Sequence, residues 1–112
     1  MTIRPDTEVY GIAVTIFPFS DTYGRTMSSF LDPEFSQVIS VTPSTAGGQS
    51  ASQIEVSATG NGFDAKGTMT YAYVVDLNGK GLVLLTNGFP GATYDVDRAV
   101  VDLMAGSLTF TK

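Results

Sequence analysis

Residues 73–85 read YVVDLNGKGLVLL, and two structures compete for them. One is the first half of a calcium-binding loop. Counted from Asp76, the EF-hand pattern asks for oxygen ligands at positions 1, 3 and 5, glycine at 6 and a bidentate glutamate at 12. Asp76, Asn78 and Gly81 fit positions 1, 3 and 6 of that pattern. Lys80 puts a cation where the fifth position needs an oxygen, and Asn87 cannot supply the bidentate charge of the twelfth. The flanks are rich in β-branched residues, whereas an EF-hand needs helices. The other structure is a hairpin. Asn-Gly is the preferred pair for a two-residue type I′ turn, because both positions need positive φ. Centred on Asn78-Gly79, such a turn sets Leu77 opposite Lys80, Val75 opposite Leu82 and Tyr73 opposite Leu84. Apolar side chains then meet apolar side chains, and the hairpin is the expected structure.

The two arms of this hairpin decide the fold class. Met69, Tyr71, Tyr73 and Val75 share one face of the first arm, and Ala72 and Val74 share the other. In the second arm Leu82 and Leu84 oppose Val83 and Leu85. Strands that are apolar on both faces are normally covered on both sides, so layers are expected above and below the sheet. Strands are predicted over residues 66–75 and 81–86. Upstream, Gln53, Glu55 and Ser57 alternate with Ile54, Val56 and Ala58, the period of a half-buried strand with one polar face. Further strands are expected over 9–17, ended by Pro18, and over 37–41. Residues 43–48 read as a loop, with Ala46-Gly47-Gly48 its most flexible point, and residues 59–62 as a turn.

After the loop Asn87-Gly88-Phe89-Pro90-Gly91 the period changes. Val96, Ala99, Val100, Leu103 and Met104 recur at helical spacing. Asp95 and Asp97 suit a helix first turn, Thr93 its N-cap and Gly106 its C-terminus. Residues 26–31 read as a short helix stopped by Asp32-Pro33, and Leu108-Thr109-Phe110 closes the chain as an extended segment. The whole, residues 1–112, reads as a single α+β domain. It is an antiparallel β-sheet of about five or six strands with a C-terminal amphipathic helix packed on it. An all-β sandwich or barrel with one peripheral helix is the alternative.

Composition narrows function by exclusion. The chain has no cysteine, histidine or tryptophan. Disulfides, thiolate chemistry, cysteine-bound zinc and every Ser-His-Asp or Cys-His constellation are therefore impossible. The net charge is −5, from 11 acidic and 6 basic residues. The bases are scattered, so nucleic acid is not an expected partner. No apolar run approaches the roughly 20 residues of a membrane span. The opening Met1-Thr2-Ile3-Arg4-Pro5-Asp6 lacks the pattern of a signal peptide. The serine- and threonine-rich composition suits an extracytoplasmic or virion protein.

Individual residues offer few chemical sites. Asp95-Val96-Asp97 is a possible divalent-cation pair, but on a helix the two carboxylates diverge by about 200°. Placement near the helix dipole explains them more simply. Gly60-Asn61-Gly62 has the glycines of a phosphate loop without the Gly-Lys-Ser/Thr that should follow. The aromatics Tyr10, Phe17, Phe19, Tyr71 and Tyr73 read as core. Phe89 and Tyr94 flank the loop before the helix. They are the candidate contact surface, or else they staple that loop to the sheet. No catalytic, cofactor-binding or metal-ligating residue is identified, and no cofactor is expected.

Over residues 52–112 the order of elements resembles a known family. An Asn61-Gly62-Phe63-Asp64-Ala65 element precedes the long hairpin formed by DAKGTMTYAYVV and GLVLLTNGFPG. A helix and the tail Ser107-Leu108-Thr109-Phe110 follow. This resembles the C-terminal half of the PsbP-like family, which includes the photosystem extrinsic protein and bacterial lipoproteins of the LpqN type. The first half lacks the family's opening hairpin with its tryptophan. The resemblance implies an antiparallel sheet sandwiched by helices. It also implies non-enzymatic binding or assembly work, often at an extracytoplasmic surface. The expected function is thus a binding or adaptor module acting through a surface, with a protein partner or self-assembly. A virion or surface-assembly protein of the decoration type is the alternative, and an enzyme built on carboxylates or tyrosines a third.

Overall fold

The computed structural model describes residues 2–3, 9–10, 15–62 and 64–110. In chain order its elements are β1 (Thr2–Ile3), β2 (Val9–Tyr10), β3 (Thr15–Thr22) and α1 (Tyr23–Phe30). They continue as β4 (Ser36–Ala46), β5 (Gln49–Ala58), β6 (Met69–Leu77), β7 (Lys80–Gly88), α2 (Ala92–Ser107) and β8 (Thr109–Phe110). The fold is α+β. Four long strands, β4 to β7, form an antiparallel meander, and β3 and β2 extend it beyond β7, giving the order β2-β3-β7-β6-β5-β4. Helix α2 packs on one face of the sheet and α1 on the other. β1 and β8 pair in parallel as a separate two-stranded ribbon.

The β6–β7 hairpin forms in the register that its sequence dictates. Leu77 pairs with Lys80, Val75 with Leu82 and Tyr73 with Leu84. Asn78 and Gly79 both take positive φ, 55° and 91°, as the type I′ turn requires. Asp76 serves the turn, its Oδ1 accepting from the Gly79 N–H at 2.8 Å. Gly81, which had made the calcium motif plausible, answers to packing instead. A Cβ there would lie 2.8 Å from Thr26 Oγ1 and 3.3 Å from the Tyr23 Cα. Only glycine lets α1 approach β7 so closely. The Tyr23 N–H also donates to the Gly79 carbonyl at 2.7 Å, tying the start of α1 to the turn. Thr22 caps that start through its Oγ1, which accepts from the Arg25 N–H.

Two-sided cover follows from the alternation along β6 and β7. Ile54, Ala72, Val74 and Val83 are buried on the α1 side, with Tyr23, Met27 and Phe30 of α1 against them. Tyr71, Tyr73, Val75, Leu82 and Leu84 are buried on the α2 side, with Tyr94, Val101 and Ala105 of α2 above them. Each fully buried Val or Leu contributes roughly 1.5–3 kcal/mol relative to exposure.

Several expected boundaries are corrected. Residues 9–17 do not form one strand. Val9 pairs with Ile16 and Tyr10 with Thr15, so the run is divided between β2 and β3. Residues 11–14 and the side chains of Tyr10, Phe17 and Phe19 lie outside the described residues. Pro18 falls inside β3, where the β3–β7 register shifts between Phe17 and Asp21. Such an irregularity accommodates a residue with no N–H. The expected loop at 43–48 shrinks to Gly47-Gly48. Both take positive φ, and Ala46 pairs with Gln49. Pro43 continues β4 because β4 is the sheet edge. β6 starts at Met69 rather than Lys66, since Gly67, with φ 90°, makes a turn first. Helix α2 begins from Gly91 rather than Thr93 and runs through Gly106 to Ser107.

The largest correction concerns which side of α2 faces the sheet. Of the expected apolar face, Val100 and Met104 are half-buried, but Val96 is 62% and Leu103 74% exposed. Tyr94, Val101 and Ala105 are the buried positions. The helix is turned so that a partly polar stripe meets the strands.

Candidate functional site

Strand β4 is the outer edge of the sheet, hydrogen-bonded to β5 on one side only. Its sequence, SQVISVTPSTA, has no charged residue. Exposed edges usually carry lysine or another charge to prevent strand addition, so a bare edge of 11 residues is unusual. A bulge organises it. Val38 pairs with Val56 and Ser40 with Glu55, which leaves Ile39 as the extra residue. The extra residue keeps Val41, opposite Ile54, on the same face as Val38. Without it the odd spacing would place them on opposite faces. Phe35, Val38, Ile39 and Val41 are between 42% and 51% exposed.

The α1-side end of this row opens into a cavity of about 310 Å³, lined by Phe35, Val56, Ala58, Gly62, Thr70 and Asp64 among others. Its wall is stitched from two loops. Thr59 donates its N–H to the Phe35 carbonyl at 3.0 Å and its hydroxyl to the Glu34 carbonyl at 2.6 Å. The Asn61 side-chain amide donates to the same Glu34 oxygen at 2.9 Å. A Cβ on Gly62 would come within 3.3 Å of the Phe35 ring. The Gly60-Asn61-Gly62 run thus closes a wall of the cavity.

On the opposite face, a polar cluster lies between α2 and the sheet. Tyr94, Arg98 and Asp102 recur every four residues on one stripe of α2. Gln53 and Glu55 of β5 and Tyr71 and Tyr73 of β6 face them. Asp102 Oδ1 accepts from the Tyr71 hydroxyl at 2.6 Å and the Tyr73 hydroxyl at 2.7 Å. The Gln53 amide donates to both phenol oxygens and, at 3.4 Å, to Asp102. Tyr94 donates its hydroxyl to Glu55 Oε2 at 2.8 Å. Arg98 Nε lies 3.3 Å from that same oxygen, a distance for ionic attraction, although Nε makes no hydrogen bond. The guanidinium also sits 4.8 Å from the centre of the Tyr71 ring, within cation–π range. Burial, reinforced by the bond to Asp102, pushes the Tyr71 and Tyr73 hydroxyls above their ordinary pKa. Burial and Glu55 do the same for Tyr94. The phenols are held neutral, as donors to carboxylates, and so fasten α2 to the strands.

This cluster explains the turned helix. Glu55 and Gln53 had suggested a solvent face on β5, yet that face receives α2, and the Glu55 side chain is only 12% exposed. The available signal was the match between a tyrosine pair on one strand and a Tyr-Arg-Asp stripe at helical spacing. Of the two candidate contact residues, Phe89 is 64% exposed, whereas Tyr94 is buried. They do not form one exposed surface, and Tyr94 instead staples the start of α2 to β5. Among the described residues no three acidic side chains gather as a metal-ligand set. No helix among them is long and apolar enough to cross a membrane. No protein-family model, curated protein or solved structure matches the chain.

Proposed function

We propose that this chain is a non-enzymatic binding module that takes an extended segment of a partner protein onto the free edge of β4. The observation that carries the reading is the uncharged edge strand with its exposed Val38, Ile39 and Val41. In strand addition, main-chain hydrogen bonds supply affinity and pockets for alternate side chains supply specificity. The cavity beside Phe35 and Val56 is placed for one apolar side chain of such a segment. Pro43 has no N–H to offer, so pairing is expected over residues 36–42. Kinship with the PsbP-like family, and with it an extracytoplasmic setting, belongs to the same proposal. The succession of hairpin, helix and short terminal strand over residues 52–112 supports it.

The alternative is a surface-assembly subunit, in which β4 meets the β4 of a second copy. The lack of a charged blocker on the edge favours this too, because like strands then meet without like charges. Selection from a displayed library of random octapeptides tests the first reading. Selected peptides should protect the amides of residues 36–42 from hydrogen exchange and lose binding in Val41→Lys. Peptides that protect another region, or bind Val41→Lys equally well, would sink it. Light scattering over a wide concentration range tests the alternative. A discrete dimer that Val41→Lys dissolves would establish self-assembly in its place.

A further inference from the structure

The cavity beside β4 has a single charged residue in its described lining, Asp64. Val56 and Ala58 of β5 and Thr70 of β6 contribute to its surface, and Phe35 and Gly62 meet in its wall. Asp32, Asp76, Glu55 and Asp102 each accept a hydrogen bond within the fold. Asp64 is exposed and has no ion-pair or hydrogen-bond partner among the described residues. Lys66, the cation of the same loop, is not part of the lining. β4 itself carries no charge. A segment that lies on β4 and enters the cavity therefore meets one carboxylate and no cation there.

Strand order adds a requirement of length. Val38 pairs with Val56, and Val56 with Thr70. Val56 stands two residues from Ile54, so this row faces the α1 side. A residue of an added strand directly opposite Val38 has its side chain on that same face. The added strand lies about 4.8 Å outside β4, and therefore about 10 Å from β5. A valine or threonine on it stops over β4, whereas methionine or an aromatic ring crosses to Val56 and Ala58. We infer that the partner segment carries methionine or an aromatic residue opposite Val38, with a lysine or arginine within two residues whose head meets Asp64. This rests on the strand-addition reading and names the segment that it takes. Opposite charge at that point speeds encounter, as does the net charge of −5, and an acidic neighbour is rejected. The chain's own β4, SQVISVTPSTA, has no methionine, aromatic or cation, so a second copy of that strand does not meet these requirements.

The displayed library of random octapeptides, selected on the wild-type chain, is the probe. Peptides that protect the amides of residues 36–42 should carry methionine or an aromatic residue with lysine or arginine within two positions. Resynthesis with glutamine for that basic residue should weaken binding about threefold to fivefold, a loss that shrinks as salt rises. In Asp64→Asn, with unchanged thermal melting as the control for folding, the same exchange should cost nothing. Resynthesis with valine for the long apolar residue should weaken binding about tenfold. Peptides that protect residues 36–42 without enrichment in basic residues, or that lose as much from the glutamine exchange in Asp64→Asn, would overturn the inference and leave strand addition standing. So would a valine exchange without effect. Protection of another region only, or no selected peptide at all, would remove both.

Discussion

The two faces of one sheet are covered by different means. On the α1 side the cover is short and apolar. Eight residues of helix span only about 12 Å, and they press Tyr23, Met27 and Phe30 onto Ile54, Ala72, Val74 and Val83. The strands beneath are 9 to 11 residues long, roughly 30 Å or more. A helix of that length cannot cover them, and the cavity beside Phe35 and the row along β4 are what remain open. On the α2 side 16 residues of helix span about 24 Å. There the fit is made by a tyrosine–carboxylate cluster as well as by Val101 and Ala105. The short helix is held by apolar contact and by two bonds at Tyr23, to the Gly79 carbonyl and to Ser52 Oγ, whereas a whole stripe of directional bonds fixes the rotation of the long one. The cost of that rotation is an apolar ridge left in solvent.

Substitutions can break this contrast or sharpen it. The largest effect is expected on the α1 side. Ile54→Ala removes a side chain with no solvent exposure and should lower stability by about 3 kcal/mol, read from the urea midpoint. A loss below about 1 kcal/mol would mean that the α1 side is loosely packed. Gly81→Ala should cost about 2 kcal/mol, because its Cβ must displace Thr26. Adding Thr26→Ala should restore part of that loss, and no restoration would place the strain elsewhere.

At the polar face a smaller effect is expected, since Asp102 is exposed. Asp102→Ala leaves the Tyr71 and Tyr73 hydroxyls short of an acceptor and should cost about 1–2 kcal/mol. The same cluster predicts alkaline sensitivity. The folded-state pKa values of Tyr71, Tyr73 and Tyr94 are raised above the ordinary 10.0. Their contribution is therefore fully present below that pH and is lost as pH rises through the folded values, because the unfolded chain ionises first. Urea midpoints should hold level up to about pH 10 and decline beyond it, less steeply in Tyr71→Phe. A decline of equal slope in that variant would remove the cluster as the cause. Val41→Lys should change stability least, within about 0.5 kcal/mol, as befits a side chain on an open edge. A large loss would show that β4 is a structural element rather than a free surface.

The sequence declares the hairpin because a type I′ turn and cross-strand pairing are local. Asn78-Gly79 and the alternation from Tyr71 to Leu84 suffice to fix it. The two-layer cover follows from strands that are apolar on both faces. The rotation of α2 does not follow from the helix alone. Val96 and Leu103 are as apolar as Val101, and the choice between them rests on Gln53, Glu55, Tyr71 and Tyr73, which are distant in sequence. The edge strand is hidden for a related reason. Pro43 reads as a breaker until the strand is known to lie at an edge, and the bulge at Ile39 is visible only through pairing with β5. Phe89 and Tyr94 look alike in sequence because nothing nearby reveals that Glu55 waits for the Tyr94 hydroxyl.

The meander has a consequence for the order of folding. β4, β5, β6 and β7 each pair with a chain neighbour, so their ladders close short loops. β3 differs. Its Ile16 must find Leu84 across most of the chain, and closing so long a loop carries a larger entropic cost. The expectation is that the β6–β7 hairpin organises first and that β3 joins only after the meander is built. Pulse-labelled hydrogen exchange during refolding measures this directly. β3 amides protected as early as those of β6 would show that the chain ends meet before its middle is built.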